Sequence, residues 1–390
     1  MKSTGNELNF DHYNAEFAAD PYPVLAELRE RCPVAHSEAH GGFWLATRYE
    51  DIREIAQDPE TFSSRYSSVP KDVGFGDFCV PPLHLDPPEH TRSKRLLAGA
   101  FVPERVERFR ESIRSSVVSL IDGLRDQEIM DLSYDFARLV PTSVVCQLVG
   151  CPSATDRFTY WVEGILEQAS ENPENAAVVA LDMFTHMSEV VAERRANPGD
   201  DVLSMLSQAE IDGDRLSDEE IVYTAVLLVL AGIDTAWSTL ASAILHLATH
   251  PEDQQRLRDD RGLITGAREE FLRAYAPVTV GRVVARDTVF HGADLKEGEM
   301  VLISLPSANR DESVFPDADE VRIDREKNRH LAFGSGIHRC LGVNIARMEL
   351  SIALEELLDR IPTFELADDD VDWTLGQVRN AKHVRVRVVR

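Results

Sequence analysis

The ten residues Phe333-Gly334-Ser335-Gly336-Ile337-His338-Arg339-Cys340-Leu341-Gly342 join a glycine-rich loop to one cysteine at the start of an amphipathic helix. Open backbone N–H groups and the positive end of the helix dipole stabilise a thiolate at such a place and lower its pKa. Gly334, Gly336 and Gly342 permit tight turns and let a flat, bulky partner approach the main chain closely. Two chemistries fit these residues. Cys340 is a nucleophile with His338 as its base, or it is a thiolate ligand to a metal cofactor.

A second segment, Ala231-Gly232-Ile233-Asp234-Thr235, interrupts an apolar run. Glycine in mid-helix costs about 1 kcal/mol relative to alanine, and an ionisable Asp beside a Thr in apolar surroundings needs a reason. Gly232 permits a close helix crossing in one reading, and Thr235 bonds the carbonyl four residues back. Glu270 and Arg273 lie three apart, hence on one helix face, at an ordinary ion-pair spacing. Asp86-Pro87-Pro88-Glu89-His90 opens a helix, and Arg282 sits in Gly281-Arg282-Val283-Val284. For each basic residue the plain alternative is a solvated surface charge.

The pattern Phe-x-x-Gly-x-His-x-Cys-x-Gly, at Phe333, Gly336, His338, Cys340 and Gly342, resembles the heme-binding loop of the cytochrome P450 family. The other segments match that family in the correct order, and the similarity runs from about Tyr22 to Arg387, of the soluble bacterial type. The resemblance implies a mainly α fold with small β-sheets, one domain over residues 1–390 enclosing one heme b, with residues 1–20 as a mobile N-terminal segment. It makes Cys340 the proximal thiolate ligand of iron, with Phe333 and Gly232 beside the cofactor. His90, Lys94, Arg282 and His338 then reach the heme propionates. Lys94 departs from the family pattern, which has arginine there; lysine pairs a carboxylate as a point charge without the bidentate fork. Asp234 and Thr235 become the acid–alcohol pair that delivers protons to dioxygen, on a helix that the family opens locally. Glu270 and Arg273, joined by Arg325, become a buried structural cluster.

The resemblance also implies a reaction: O₂ and two electrons insert one oxygen atom into a substrate. By position, Phe75, Phe78, Leu227, Leu230, Ala231, Val278 and Val280 line its pocket, so the substrate is a hydrophobic small molecule of terpenoid, steroid, aromatic or polyketide-like type. A peroxide-dependent peroxygenase normally lacks the acid–alcohol pair, and a heme sensor needs neither a proton relay nor an electron-entry surface. Electrons come from a partner, since the chain holds no flavin or nicotinamide fingerprint. Residues 92–114 carry seven basic and three acidic side chains in a molecule of net charge −26. A solvated helix face is the plain reading; in the family this region borders the docking face for an acidic ferredoxin or flavodoxin, with Arg92, Arg95, Arg105, Arg108 and Arg339 as contacts.

These residues must be positioned by helices. With 43% apolar and 28% charged residues, the 390-residue chain has a globular composition. Its 67 acidic against 41 basic residues argue against a nucleic-acid binder. The start shows no secretory pattern and no membrane anchor, and five scattered cysteines indicate a reducing cytoplasm. Helices are expected at Tyr49–Gln57, Glu89–Leu97, Glu104–Leu124, Leu132–Val149, Thr155–Ser170, Glu174–Ala196 and Ile264–Tyr275, and from near Cys340 to before Pro362. Ser217 and Glu220 form a capping box that starts the longest helix, which runs to about Thr249. A strand is expected at Phe43–Arg48, a long loop at Ser63–Pro82, and further strands between Gly281 and Ile303.

Overall fold

The computed structural model describes residues 10–71, 79–167, 172–368 and 371–389. Among these the chain runs through α1 (Ala15–Ala19), α2 (Tyr22–Arg31), β1 (Val34–Ser37), β2 (Phe43–Ala46), α3 (Tyr49–Gln57), β3 (Phe62–Ser63), α4 (Glu89–Ala98), α5 (Pro103–Val106), α6 (Arg110–Leu124) and β4 (Ile129–Asp131). There follow α7 (Leu139–Leu148), α8 (Thr155–Val162), α9 (Pro173–Ala196), α10 (Val202–Gln208), a hairpin of β5 (Glu210–Ile211) and β6 (Asp214–Arg215), and α11 (Asp218–Thr249). The last part holds α12 (Pro251–Asp259), α13 (Ile264–Ala274), β7 (Thr279–Val284), β8 (Thr288–Phe290), β9 (Ala293–Leu295), β10 (Met300–Ser304), α14 (Leu305–Ala308), α15 (Val343–Arg360), β11 (Phe364–Leu366) and β12 (Arg385–Val388). Helix dominates and the sheets are small, as expected.

The chain divides into two compact units. One comprises Met1–Thr91, Gly266–Cys340 and Asp372–Asn380. Its sheet has the order β1-β2-β10-β7-β3, with β10 parallel to β2 and the other pairs antiparallel. In that register Arg282 of β7 stands opposite Val301 of β10. Helix α3 buries Ile52, Ile55 and Ala56 against Phe62, Val301, Ile303 and Phe315. It ends where Asp58 turns back to the Ile55 carbonyl ahead of Pro59, which cannot continue a helix.

The other unit comprises Arg92–Thr265, Leu341–Val371 and Ala381–Arg390. Helix α11 runs through it, packed on α7, α8, α9 and α10. Its capping box is formed at both ends: Glu220 N–H donates to Ser217 Oγ (3.2 Å), and Ser217 N–H donates to Glu220 Oε2 (2.8 Å). Such a cap contributes about 1 kcal/mol. Among the described residues α11 alone is long and apolar enough to cross a membrane, and 61% of its most apolar stretch is buried in the protein. A three-stranded sheet, β11-β12-β4, completes this unit.

Three expected helices are interrupted. A 3₁₀ turn over Glu107–Phe109 separates α5 from α6. Ser133–Ala137 forms a wide π turn before α7, where Pro141 has no N–H to return to the Ala137 carbonyl. A second π turn, Glu163–Glu167, follows α8. There α9 approaches so closely that a Cβ on Gly164 would lie 2.8 Å from Val179 Cγ2. Residues 168–170 of that expected helix, and residues 72–78 of the long loop, lie outside the described residues.

Candidate active site

The cysteine loop is held by its own unit. Gly334 and Gly336 take φ values of +69° and +66°, conformations that favour glycine. At Gly336 a Cβ would also collide with the Ala56 carbonyl oxygen at the end of α3, so two constraints select glycine there. A single 3₁₀ turn, Gly336–His338, leads to Cys340, whose N–H donates to the Phe333 carbonyl at 2.9 Å. Cys340 is exposed and stands two residues before Gly342, the N-cap of α15; the helix therefore begins slightly later than the sequence suggests. Phe333 is half-buried beside His330, with ring centroids 5.8 Å apart.

Two histidines meet at this loop. The rings of His90 and His338 lie 4.3 Å apart between centroids, His90 buried and His338 half-buried. Lys94, half-buried, follows His90 by one turn of α4. Arg282 is 6% exposed, and its side chain donates to the Gly281 carbonyl at 2.8 Å. No carboxylate lies within ion-pair distance of it among the described residues. Burial pushes its pKa down to about 10, against a weaker upward pull from Asp86. A guanidinium withdrawn from water and left without an acid has an unmet demand for an anion, and a propionate satisfies it. The chemistry of this donor set, with an accessible cysteine on a glycine loop, fits an iron porphyrin.

Helix α11 carries the other half of the expected chemistry. Most of its residues are buried, yet Leu227, Leu228, Ala231, Gly232, Asp234 and Thr235 are not. Leu227, Ala231 and Thr235 lie four apart, so the accessible positions form a stripe at mid-helix. Leu230 is 5% exposed, and Val278 and Val280 of the other unit are half-buried. Phe75 and Phe78 lie outside the described residues.

The local opening that the family resemblance implies is not present, for α11 is continuous from Asp218 to Thr249. Thr235 Oγ donates to the Ala231 carbonyl at 2.8 Å, Ser238 to Asp234 at 2.7 Å and Thr239 to Thr235 at 3.0 Å. These hydroxyl back-bonds keep the carbonyls occupied while the helix stays closed. Gly232 admits α7: a Cβ there would lie 2.9 Å from Val145 Cγ2. Both structural readings of this segment are thus realised, alongside the accessible stripe.

Glu270 and Arg273 pair in full burial, and Arg325 joins them with its side chain 6% exposed. Arg273 Nε and Nη2 donate to the two Glu270 oxygens at 2.8 and 2.7 Å. Its remaining donors reach the carbonyls of Asn309, Ala318 and Glu320 at 2.7 to 2.8 Å. Arg325 Nε donates to Glu270 at 3.0 Å and its Nη atoms to the carbonyls of Pro316, Asp317 and Glu320. Sequence reasoning missed Asn328, whose Nδ2 donates to Glu270 at 3.0 Å, and the Arg322 N–H, which does so at 2.8 Å. The cluster pins the irregular stretch that precedes the cysteine loop.

The arginines between residues 92 and 114 are less available than their number suggests. Arg92 forks onto Asp214 at 2.7 and 2.9 Å and reaches Glu220 at 2.5 Å. Arg95 meets Asp212, Arg108 meets Asp200, Arg110 meets Glu107, and Arg114 meets Glu355 and Glu356. Arg105 instead points to the Met205 thioether, a weak acceptor. Arg339 is exposed.

Known proteins resemble this chain in sequence and in backbone. Residues 154–374 match the family model described as cytochrome P450. Mycinamicin IV hydroxylase/epoxidase of Micromonospora griseorubida is 37% identical over 368 residues, covering 90% of this chain and 91% of that protein. Vitamin D(3) 25-hydroxylase of Pseudonocardia autotrophica is 34% identical over 375 residues, covering 94% and 92%. The solved structure of the bacillaene polyketide synthase cytochrome P450 PksS of Bacillus subtilis 168 superposes with a TM-score of 0.90 at 32% identity, over 98% of this chain and all of that one. Sharing both sequence and backbone with oxygen-inserting enzymes over nearly all of its residues, the chain belongs to the cytochrome P450 family and is a monooxygenase.

Proposed function

We propose that this P450 oxidises a polyketide-, steroid- or terpenoid-like hydrophobic molecule by hydroxylation or epoxidation, with heme b as its cofactor. The observation that carries the proposal is the accessible stripe on α11, where the apolar Leu227 and Ala231 adjoin the polar Asp234 and Thr235 in the middle of a mostly buried helix. Relatives named for mycinamicin IV, vitamin D₃ and a polyketide synthase support the substrate class. Residues 1–390 are read as one catalytic domain.

Heme, when bound, supplies electron uptake and oxygen activation. Cys340 would hold it through its thiolate, with Phe333 beside it, and His90, Arg282 and His338 would hold its carboxylates; the family pattern assigns Gly232 and Lys94 to the same cofactor. Leu227, Leu230 and Ala231 of α11 would exclude water from an apolar substrate and orient it. Asp234 picks up a proton at its carboxylate and passes it inward. The Thr235 hydroxyl, donating to the Ala231 carbonyl, keeps its oxygen lone pairs available to accept from the water that carries the proton on. Glu270, Arg273 and Arg325 keep the loop in place without touching the chemistry.

Electrons come from a redox partner, here an acidic ferredoxin or flavodoxin, with Arg95, Arg105 and Arg108 as contacts and Arg339 as a further one; Arg92 is committed to Asp214 and Glu220. We place the enzyme in the cytoplasm, in keeping with five scattered cysteines that make no regular disulfide framework in the sequence. The test is turnover of a macrolide, sterol and terpenoid panel by the holoenzyme with ferredoxin, its reductase and ¹⁸O₂. Products carrying one labelled oxygen are expected from at least one class. Label-free products, or turnover with peroxide but not with reductant and O₂, would overturn the reading.

A further inference from the structure

Residues 210–220 carry six acids, Glu210, Asp212, Asp214, Asp218, Glu219 and Glu220, against the single base Arg215. They form the β5–β6 hairpin and the first turn of α11, and they meet the basic helix α4 through two contacts of different strength. Arg92 is an anchor: it makes a bidentate pair with Asp214, a further bond to Glu220 and one to the Arg215 carbonyl at 3.0 Å. Arg95 is held by one bond of 3.3 Å to Asp212, and the two side chains are 58% and 88% exposed. Asp212 sits at the hairpin tip with φ +57°, next to Gly213 at +81°, so the turn geometry presents its carboxylate outward.

A bidentate pair reinforced by a second carboxylate resists exchange. A single exposed pair is weak, is screened by salt, and yields readily to a competing carboxylate. We propose that the β5–β6 hairpin is a tethered acidic competitor: anchored on Arg92, it holds Asp212 over Arg95, and an acidic electron donor must displace Asp212 to use that arginine. This deepens the docking proposal above and rests on it. The device would set the donor's affinity below what bare α4 offers, favouring quick release after each electron.

The test is the apparent Kd for a [2Fe–2S] ferredoxin, read from the rate of reduction of the holoenzyme under CO, in a double-mutant cycle of Asp212→Asn and Arg95→Gln. Asp212→Asn alone should tighten the complex several-fold at low salt, the gain should fade at high salt, and it should vanish in the Arg95→Gln background. The last condition separates displacement from the general effect of removing one negative charge. If Arg95→Gln weakens the complex while Asp212→Asn changes nothing, or if the gain persists in the Arg95→Gln background, the docking site stands and the competitor is refuted. If Arg95→Gln leaves the Kd unchanged, Arg95 is no donor contact and both readings fall at that residue. Thermal unfolding of each variant checks that the anchor at Arg92 is intact.

Discussion

Arg273 and Arg282 belong to the same unit and are both withdrawn from water, yet the fold treats them in opposite ways. Arg273, 0% exposed, spends its donors on Glu270 and three backbone carbonyls, within a cluster that also takes in Arg325 and Asn328. Arg282, 6% exposed, has the Gly281 carbonyl and no acid within reach among the described residues. A buried guanidinium is tolerable when every donor is matched, and a fold leaves one unmatched only where it has another use. Arg273 is scaffold; Arg282 is left for an anion, in the proposed reading a heme propionate. Charge and burial are nearly equal in the two, so the partners alone make the distinction.

Substitutions separate the two arginines. The largest effect is expected for Arg273→Met, which strips Glu270 of its bidentate partner: stability should fall by about 3–5 kcal/mol, seen as a lower denaturation midpoint or as loss of folded protein. Next comes Gly336→Ala, where a positive φ and the Ala56 carbonyl both oppose a side chain. A loss of about 2 kcal/mol or more is expected, with weakened heme retention, read by thermal unfolding and by heme transfer to apomyoglobin. Asn328→Ala removes one bond to a charged group and should cost about 1.5–3 kcal/mol by denaturant unfolding.

Arg282→Met should be nearly neutral for the heme-free protein, within about 1 kcal/mol, while heme transfer to apomyoglobin quickens several-fold. If it destabilises the heme-free chain as much as Arg273→Met does, the distinction fails. The smallest effect on stability belongs to Thr235→Ala, within about 1 kcal/mol, since it deletes one hydroxyl back-bond. Its consequence is functional: electron consumption should continue while peroxide replaces product. Tight coupling in that variant would remove Thr235 from the proton path.

Much of this was legible in the sequence because it is local. The limits of α3 follow from one apolar face and the Asp58-Pro59 stop, and Ser217 with Glu220 announced the start of α11. The cysteine loop carries its glycines within ten residues, two of them at positive φ. What the sequence hid depends on distant partners. The spacing of Glu270 and Arg273 looked like any surface pair, and only residues about fifty positions later bury it. The run of arginines from 92 to 114 read as a positive face, but acids from residues 200 to 220 and 355 to 356 neutralise most of it. The π turn at Ser133–Ala137 was recoverable from Pro141, whereas the one at Glu163–Glu167 arises where Gly164 meets α9, a contact no local pattern reveals.

The account turns on Cys340 as the thiolate that holds the cofactor. The most direct measurement is the absorption spectrum of the reduced protein under CO, for the wild type and for Cys340→Ala reconstituted with heme. The wild type should show the red-shifted Soret band of thiolate ligation, and Cys340→Ala should lose that band while still binding porphyrin. Retention of the red-shifted band in Cys340→Ala would contradict the account.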